Sequence, residues 1–135
     1  MSASNFDILQ PKAWARPKGY ANGIAAAGRQ VFISGQIGWN EHAELVGDDF
    51  VAQVEQALSN VVTVLAEAGG APHHLTRLTW FVTNKATYIA RQKDIGEAYR
   101  RVIGRHFPAM TLVVVAGLLE EGAQVEIEAT AVVPS

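Results

Sequence analysis

The sequence predicts a single α+β domain, a mixed sheet of about six strands with two helices on one face. Three observations predict it. Short runs that alternate apolar and polar residues recur along the chain, which is the periodicity of half-buried strands. Two longer segments return an apolar residue every three or four positions, which is the periodicity of helices. At 135 residues the chain can bury one core and not two, so residues 1–135 form one domain.

Asn5–Gln10 is read as a short edge strand before Pro11, whose missing N–H suits an edge or a turn. Tyr20–Ala27 and Val31–Gly38 flank Gly28-Arg29-Gln30, the spacing of a hairpin with a short glycine-containing loop. In the second of these runs Val31, Ile33 and Gly35 face one way and Phe32, Ser34 and Gln36 the other. Asp48 is the expected N-cap of a helix whose stripe is Val51, Val54, Leu58, Val61, Leu65 and Ala68, closed by Gly69-Gly70 and Pro72. Leu75–Val82 alternates again and predicts a strand. Thr87 is the expected cap of a second helix, Tyr88–Ile103, with Tyr88, Ile95, Tyr99 and Val102 inward and Gly104 at its end.

The C-terminal stretch is a strand, a turn and a strand: Met110–Val115, then Glu120-Glu121-Gly122, then Val125–Val133. Val125, Ile127, Ala129, Ala131 and Val133 share one face, while Glu126, Glu128 and Thr130 share the other. Two carboxylates on one side of an apolar strand mark either an exposed face or a lined cleft. Two helices cannot cover both faces of such a sheet, yet Phe32, Phe81 and part of Met110–Val115 lie beyond their reach. A closed homo-oligomer would bury them, since an apolar patch of that size is uncommon on a monomer.

Composition narrows the function. Apolar residues are 49%, charged residues 18% and the net charge is −2, which fits a compact domain rather than a disordered or nucleic-acid-coating chain. The absence of cysteine excludes disulfides, thiolate nucleophiles and cysteine-ligated zinc. No apolar leader opens the chain and no run approaches the ~20 residues that span a bilayer, so the expected location is cytoplasmic. The basic residues of the second helix and its end, Arg91, Lys93, Arg100, Arg101 and Arg105, lack an aromatic stacking row and are read as a solvated face, with no nucleic-acid partner. His73-His74 lack zinc-site spacing, so no metal is expected. His106 is placed to cap the C-terminal end of the second helix.

The element order and a set of local signatures together resemble the RidA/YjgF family of reactive-intermediate enamine/imine deaminases. The residues that carry the resemblance are Gly19-Tyr20, Val31-Phe32-Ile33-Ser34-Gly35-Gln36-Ile37, Gln53 to Leu65 with Asn60-Val61, Phe81-Val82, Tyr99, Phe107-Pro108-Ala109, and Val125-Glu126-Ile127-Glu128-Ala129. The resemblance implies a homotrimer of chorismate-mutase-like subunits, with clefts at the subunit interfaces, a small-molecule ligand, and neither metal nor organic cofactor. It implies Glu126 as the acid that positions or activates water. The implied substrate-binding positions are Tyr20, Ser34, Gly35, Met110, Thr111 and Leu112. In the best-understood members an arginine follows the Phe-Pro-Ala triplet and grips the substrate carboxylate with a two-toothed ion pair. Here that position is Met110, a soft apolar wall. Arg105 is not expected to take the same pose from its loop, and Gly96 stands where many members have an asparagine.

The expected activity is hydrolytic deamination of a small reactive imine or enamine other than the usual 2-imino acids. Glu126 would be acid/base, Tyr20 and Ser34 would orient the substrate, and backbone groups of Met110–Leu112 would bind the nitrogen or water. A carboxylate in an apolar cleft has a raised pKa, which suits proton transfer. The alternative is a non-catalytic trimer that binds a small molecule or a partner. RNA cleavage, attributed to some relatives, is not expected, because there is no cysteine, no paired catalytic histidines and no net basic charge.

Overall fold

The computed structural model describes residues 6–135. Asn5, the first residue of the expected edge strand, lies outside them. The elements are β1 (Phe6–Leu9), β2 (Gly23–Ala26), β3 (Arg29–Ile37), α1 (Phe50–Glu67), β4 (Leu75–Val82), α2 (Lys85–Ala90), α3 (Gln92–Val102), β5 (Ala109–Val114) and β6 (Val125–Val133). The main sheet runs β3-β6-β4-β5, and β1-β2 is a separate pair. Among the described strand pairs only β4 with β5 is parallel. The fold is α+β with a mixed sheet, as the periodicities predict.

One expected pairing is overturned. Tyr20–Ala27 and Val31–Gly38 do not form a hairpin: β2 pairs antiparallel with β1, and β3 with β6. Gly28 is where the chain leaves one sheet for the other. It has φ +146°, and a side chain there would collide with the carbonyl oxygen of Val133, so the backbone passes hard against the end of β6. Nor do the two C-terminal strands pair with each other. β4 lies between them, parallel to β5 and antiparallel to β6, so the polar turn after β5 is a crossover past the end of β4. The β-branched runs set the strands but carry no information about partners.

α1 packs its stripe on the sheet, with Val54, Ala57, Leu58, Val61 and Leu65 wholly buried. Its N-cap is Asp49 rather than Asp48: the Asp49 carboxylate accepts from the Ala52 amide at 2.9 Å. The second helix is not continuous. It breaks at Arg91 into α2 and α3, and Asn84, not Thr87, caps the first piece by accepting from the Thr87 amide. Arg91 at the break donates to Asp94 at 3.0 Å and to Asp49 at 3.2 Å, and Arg101 donates to Glu55 at 2.6 Å. Part of the basic face is thus neutralised by α1. His106 does not cap α3. Its Nε2 contacts the Leu75 carbonyl at 2.7 Å, while its own carbonyl accepts from the Tyr99 hydroxyl at 2.6 Å.

The Ala52 amide, and then Arg91, hold the Asp49 carboxyl below the ordinary carboxylate range. A depressed native pKa contributes stability that is present above the unfolded value and lost as pH falls through the native value. Asp49→Ala is therefore expected to lower unfolding stability by about 1 kcal/mol near neutrality, and by less at pH 3. Urea melts of both proteins at the two pH values would show it.

Against the helices the sheet presents Ile33, Leu78, Trp80, Val82, Val125 and Ile127, all buried. The opposite face carries Phe32, Thr79, Phe81, Val113, Glu126 and Glu128, with Phe32 73% exposed. Among the described residues one polar side chain lies wholly inside: Gln53 donates to the carbonyls of Gly47 (2.8 Å) and Gly122 (3.0 Å) and accepts from the Gln124 amide (2.9 Å).

Candidate functional site

The expected site residues fall into two groups that one chain does not bring together. Met110 and Leu112 pair with Leu78 and Trp80 and turn toward the helices. Tyr20 joins them because Ala21 bridges to Ala109 and its amide donates to the Pro108 carbonyl at 3.0 Å. Stacking of Phe107 on Tyr99, with ring centroids 5.5 Å apart, together with buried Pro108, sets the entry into β5. Tyr20, Trp80, Tyr99, Phe107, Met110 and Leu112 line a cavity of about 350 Å³ between the β4–β5 edge and α3. Arg105 is exposed and does not line it. Thr111 projects to the opposite face with Thr79 and shares only its backbone with this group.

The other group is Ser34, Gly35 and Glu126. Glu126 pairs with Phe81 across β6–β4 and so lies on the face turned away from the helices. A register shift between Ile33 and Gln36 breaks the alternation expected along β3. Gln36 consequently pairs with Ile127 on the helix side, instead of sharing a face with Phe32. Glu126 folds over the irregular stretch, so that a side chain on Gly35 would overlap its Oε2, Cδ and Cγ. Gly35 is thus the seat of the carboxylate. β4 separates β6 from β5, which puts their backbones about 10 Å apart, and Glu126 and the cavity group point to opposite faces.

Sequence reasoning missed most of the cavity wall. Trp80, Tyr88, Ile95 and Tyr99 read as plain core positions, and the repeat that places them on one stripe is the same whether a stripe meets protein or a void. The signal available was Gly96. It lines the cavity in mid-α3, where a glycine costs about 1 kcal/mol relative to alanine, and a Cβ built there meets nothing within 4 Å. Burial raises the pKa of the Tyr88 and Tyr99 hydroxyls, with a weaker opposing hydrogen bond from Gln92 at Tyr88. Both remain neutral hydrogen-bonding groups near neutral pH. His74 uses Nδ1 to accept from the Ala71 amide at 2.9 Å. Among the described residues no three His, Cys, Asp or Glu side chains gather as metal ligands, and no helix is long and apolar enough to cross a membrane.

Comparison with known proteins adds to this geometry. The family model described as endoribonuclease L-PSP matches residues 11–133. The chain is 29% identical over 127 residues to a protein of Dermatophagoides farinae named 2-iminobutanoate/2-iminopropanoate deaminase, covering 93% of this chain and 95% of that one. The crystal structure of YyfB, a Rid-family protein of Yersinia pestis, superposes with a TM-score of 0.85 at 31% identity, over 96% of this chain and 99% of the other. E. coli TdcF, solved with bound serine, superposes at 0.66 with 28% identity over 93% and 96%.

Proposed function

This chain belongs to the RidA/YjgF family, and from that membership we propose that it hydrolyses a small reactive imine or enamine in a cleft shared between subunits of a homotrimer. The observation that carries the reading is the split site. The cavity group (Tyr20, Met110, Leu112) and Glu126, seated over Gly35, lie on opposite faces of one sheet. A second copy is what would set one group against the other. The uncovered face around Phe32 and Val113 supplies apolar surface for such an assembly. The deaminase name of the mite relative and the serine held by TdcF support a small substrate bearing nitrogen.

In this reading an enamine first tautomerises to the imine. Glu126 of one subunit takes a proton from water as the oxygen adds to the C=N carbon, forming a C–O bond and a carbinolamine. That proton is delivered to nitrogen to complete the carbinolamine; Glu126 then takes the hydroxyl proton and passes it to the same nitrogen, the C–N bond breaks as the C=O bond forms, and ammonia and a carbonyl compound leave. β5 is an edge strand, so alternate backbone groups along Met110–Leu112 point away from β4 and are open to the substrate nitrogen or to water. Tyr20 and Ser34 orient the substrate. Met110 offers a thioether where the family resemblance places an arginine, which weakens the grip on the short 2-imino acids derived from serine and threonine. The same substitution favours a second reading, a trimer that binds small molecules without turning them over.

Ammonia release is the test, measured with freshly generated 2-aminoacrylate and with a panel of bulkier and uncharged imines. Turnover is expected on the panel and little on 2-aminoacrylate, with Met110→Arg gaining the latter. A wild type inert throughout, beside an active Met110→Arg, would replace the enzyme with the binder. Gly35→Ala is expected to push Glu126 into another rotamer at a cost of about 1 kcal/mol, leaving the circular dichroism spectrum unchanged and turnover lost. Retained turnover in that variant would show that the carboxylate need not sit over Gly35.

A further inference from the structure

A second hollow, of about 500 Å³, opens at the other edge of the sheet, between the outer side of α1 and the turn that follows β3. β3 and β5 are the two edge strands with β6 and β4 between them, so the two edges stand three strand spacings apart, about 14 Å. Hydrogen bonds hold the wall of this groove in place. Trp39 bridges antiparallel to Leu45 across the turn, and the Asn40 carboxamide oxygen accepts from the His42 and Glu44 amides at 2.9 and 3.1 Å. Asn60 on α1 donates to the carbonyls of Ile37 (3.2 Å) and Trp39 (2.8 Å). The other polar side chains also spend donors on the protein itself: Gln56 on the Asn60 carboxamide oxygen (2.8 Å), Gln36 on the Ser34 carbonyl (3.1 Å) and Thr63 on the Ser59 carbonyl (2.9 Å). Gln36 Oε1 and Gln56 Oε1 accept from no described residue. Among the described residues the one charged group that lines the groove is Glu41, whose nearest charged neighbour is His42 at 4.0 Å, and no Lys or Arg lines it. Free acceptors, a carboxylate and the half-buried indole of Trp39 are complementary to a cation that carries N–H donors.

We propose that this groove binds a small primary amine in its protonated form, with the ammonium between the Trp39 indole and Glu41, its N–H groups donated to the Gln36 and Gln56 oxygens, and its alkyl stem against Val64. The indole face attracts the charge through its quadrupole, and the carboxylate adds a direct ionic contact. A volume of about 500 Å³ falls within the range of small-molecule sites. An anion would be repelled by Glu41 and would meet few free donors. A bare inorganic cation would leave Trp39 and Val64 without apolar contact. None of the lining residues belongs to either half of the proposed deaminase cleft, so the inference stands or falls independently of imine turnover.

The test is a chemical-shift titration of the assembled, nitrogen-15-labelled protein at pH 8 with three probes: butylammonium, 1-butanol, which keeps the stem and lacks the charge, and tetramethylammonium, which keeps the charge and lacks N–H donors. Butylammonium is expected to bind about tenfold more tightly than either comparator, with shifts centred on Trp39, Gln36 and Gln56. Glu41→Gln is expected to weaken it by about fivefold, and Trp39→Leu by about tenfold or more. Val64→Lys replaces an exposed residue of α1 with a better helix former and plants a competing ammonium in the groove. It is expected to abolish binding while the thermal midpoint holds, which separates occupancy of the site from damage to the turn. Equal affinity for butylammonium and either comparator, shifts confined to the cavity beside β5, or undiminished binding by Trp39→Leu or Val64→Lys would each overturn the proposal.

Discussion

Replacing Gln53 by alanine is expected to lower the stability of the domain by about 3 kcal/mol, more than any exposed substitution. The side chain is fully buried and bridges three backbone groups: the carbonyls of Gly47 and Gly122 and the amide of Gln124. Truncation leaves two acceptors and a donor without partners, each costing about 1–3 kcal/mol when it cannot reach water. Gly47 and Gly122 are exposed, so water recovers part of the loss. Gln53→Glu separates hydrogen bonding from volume. One carboxylate oxygen would face two carbonyls and would have to keep its proton, raising the native pKa above the unfolded value. A raised native pKa gives stability that is present below the unfolded value of about 4.3 and lost as pH rises through the native value. The glutamate variant should therefore lie closer to wild type at pH 4 than at pH 8. Urea unfolding at both pH values checks this, and a pH-independent deficit would show that the lost Nε2 donor, not the buried charge, sets the cost.

Glu126→Gln is expected to reduce imine hydrolysis by about a hundredfold to ten-thousandfold, the range lost with a positioned general acid/base. The change keeps volume, and the Glu126 side chain makes no hydrogen bond or ion pair among the described residues, so stability should shift by no more than about 0.5 kcal/mol. Sedimentation should be unaltered. The measurement is kcat and KM for an imine that wild type turns over. A fall in kcat at constant KM is the signature of a group acting in the transition state. If the variant keeps its kcat, Glu126 is a structural carboxylate of the open sheet face. The binder reading predicts a different response: ligand raises thermal stability by about 2.7 kcal/mol at a hundredfold excess over Kd, with no ammonia released.

The strands and helices were legible to within a few residues because side-chain periodicity is a local property. Leu75–Val82 has the bounds read from its alternation, and the stripe from Val51 to Leu65 is the buried face of α1. Local chemistry was less decisive where neighbours compete. Asp48 and Asp49 both suit an N-cap, and the structure chooses the one whose oxygens also reach Arg91 at the break between α2 and α3. The break at Arg91 was invisible, since the pattern Tyr88, Ile95, Tyr99 continues through it, and the Arg91 side chain there meets Asp94 on α3 and Asp49 at the cap of α1. The hairpin expected before β3 failed because loop length allows a pairing without requiring it, and β6 offered a longer partner than β2.

By itself the sequence determined the element types, the apolar faces of β4 and β6, the carboxylate at position 126 and the thioether at position 110. All of these depend on residue identity and on spacings of a few residues, which local geometry converts directly into orientation. Only the tertiary structure decided that β4 separates β5 from β6, that Met110 and Glu126 face opposite ways, and that Gly35 seats the carboxylate. It alone joined Lys18 and Arg100, 82 positions apart in the numbering (100 − 18), at one cavity rim. Strand order and the meeting of distant side chains are set by which arrangement buries the most apolar surface with its hydrogen bonds satisfied, a property of the whole chain that no local pattern encodes.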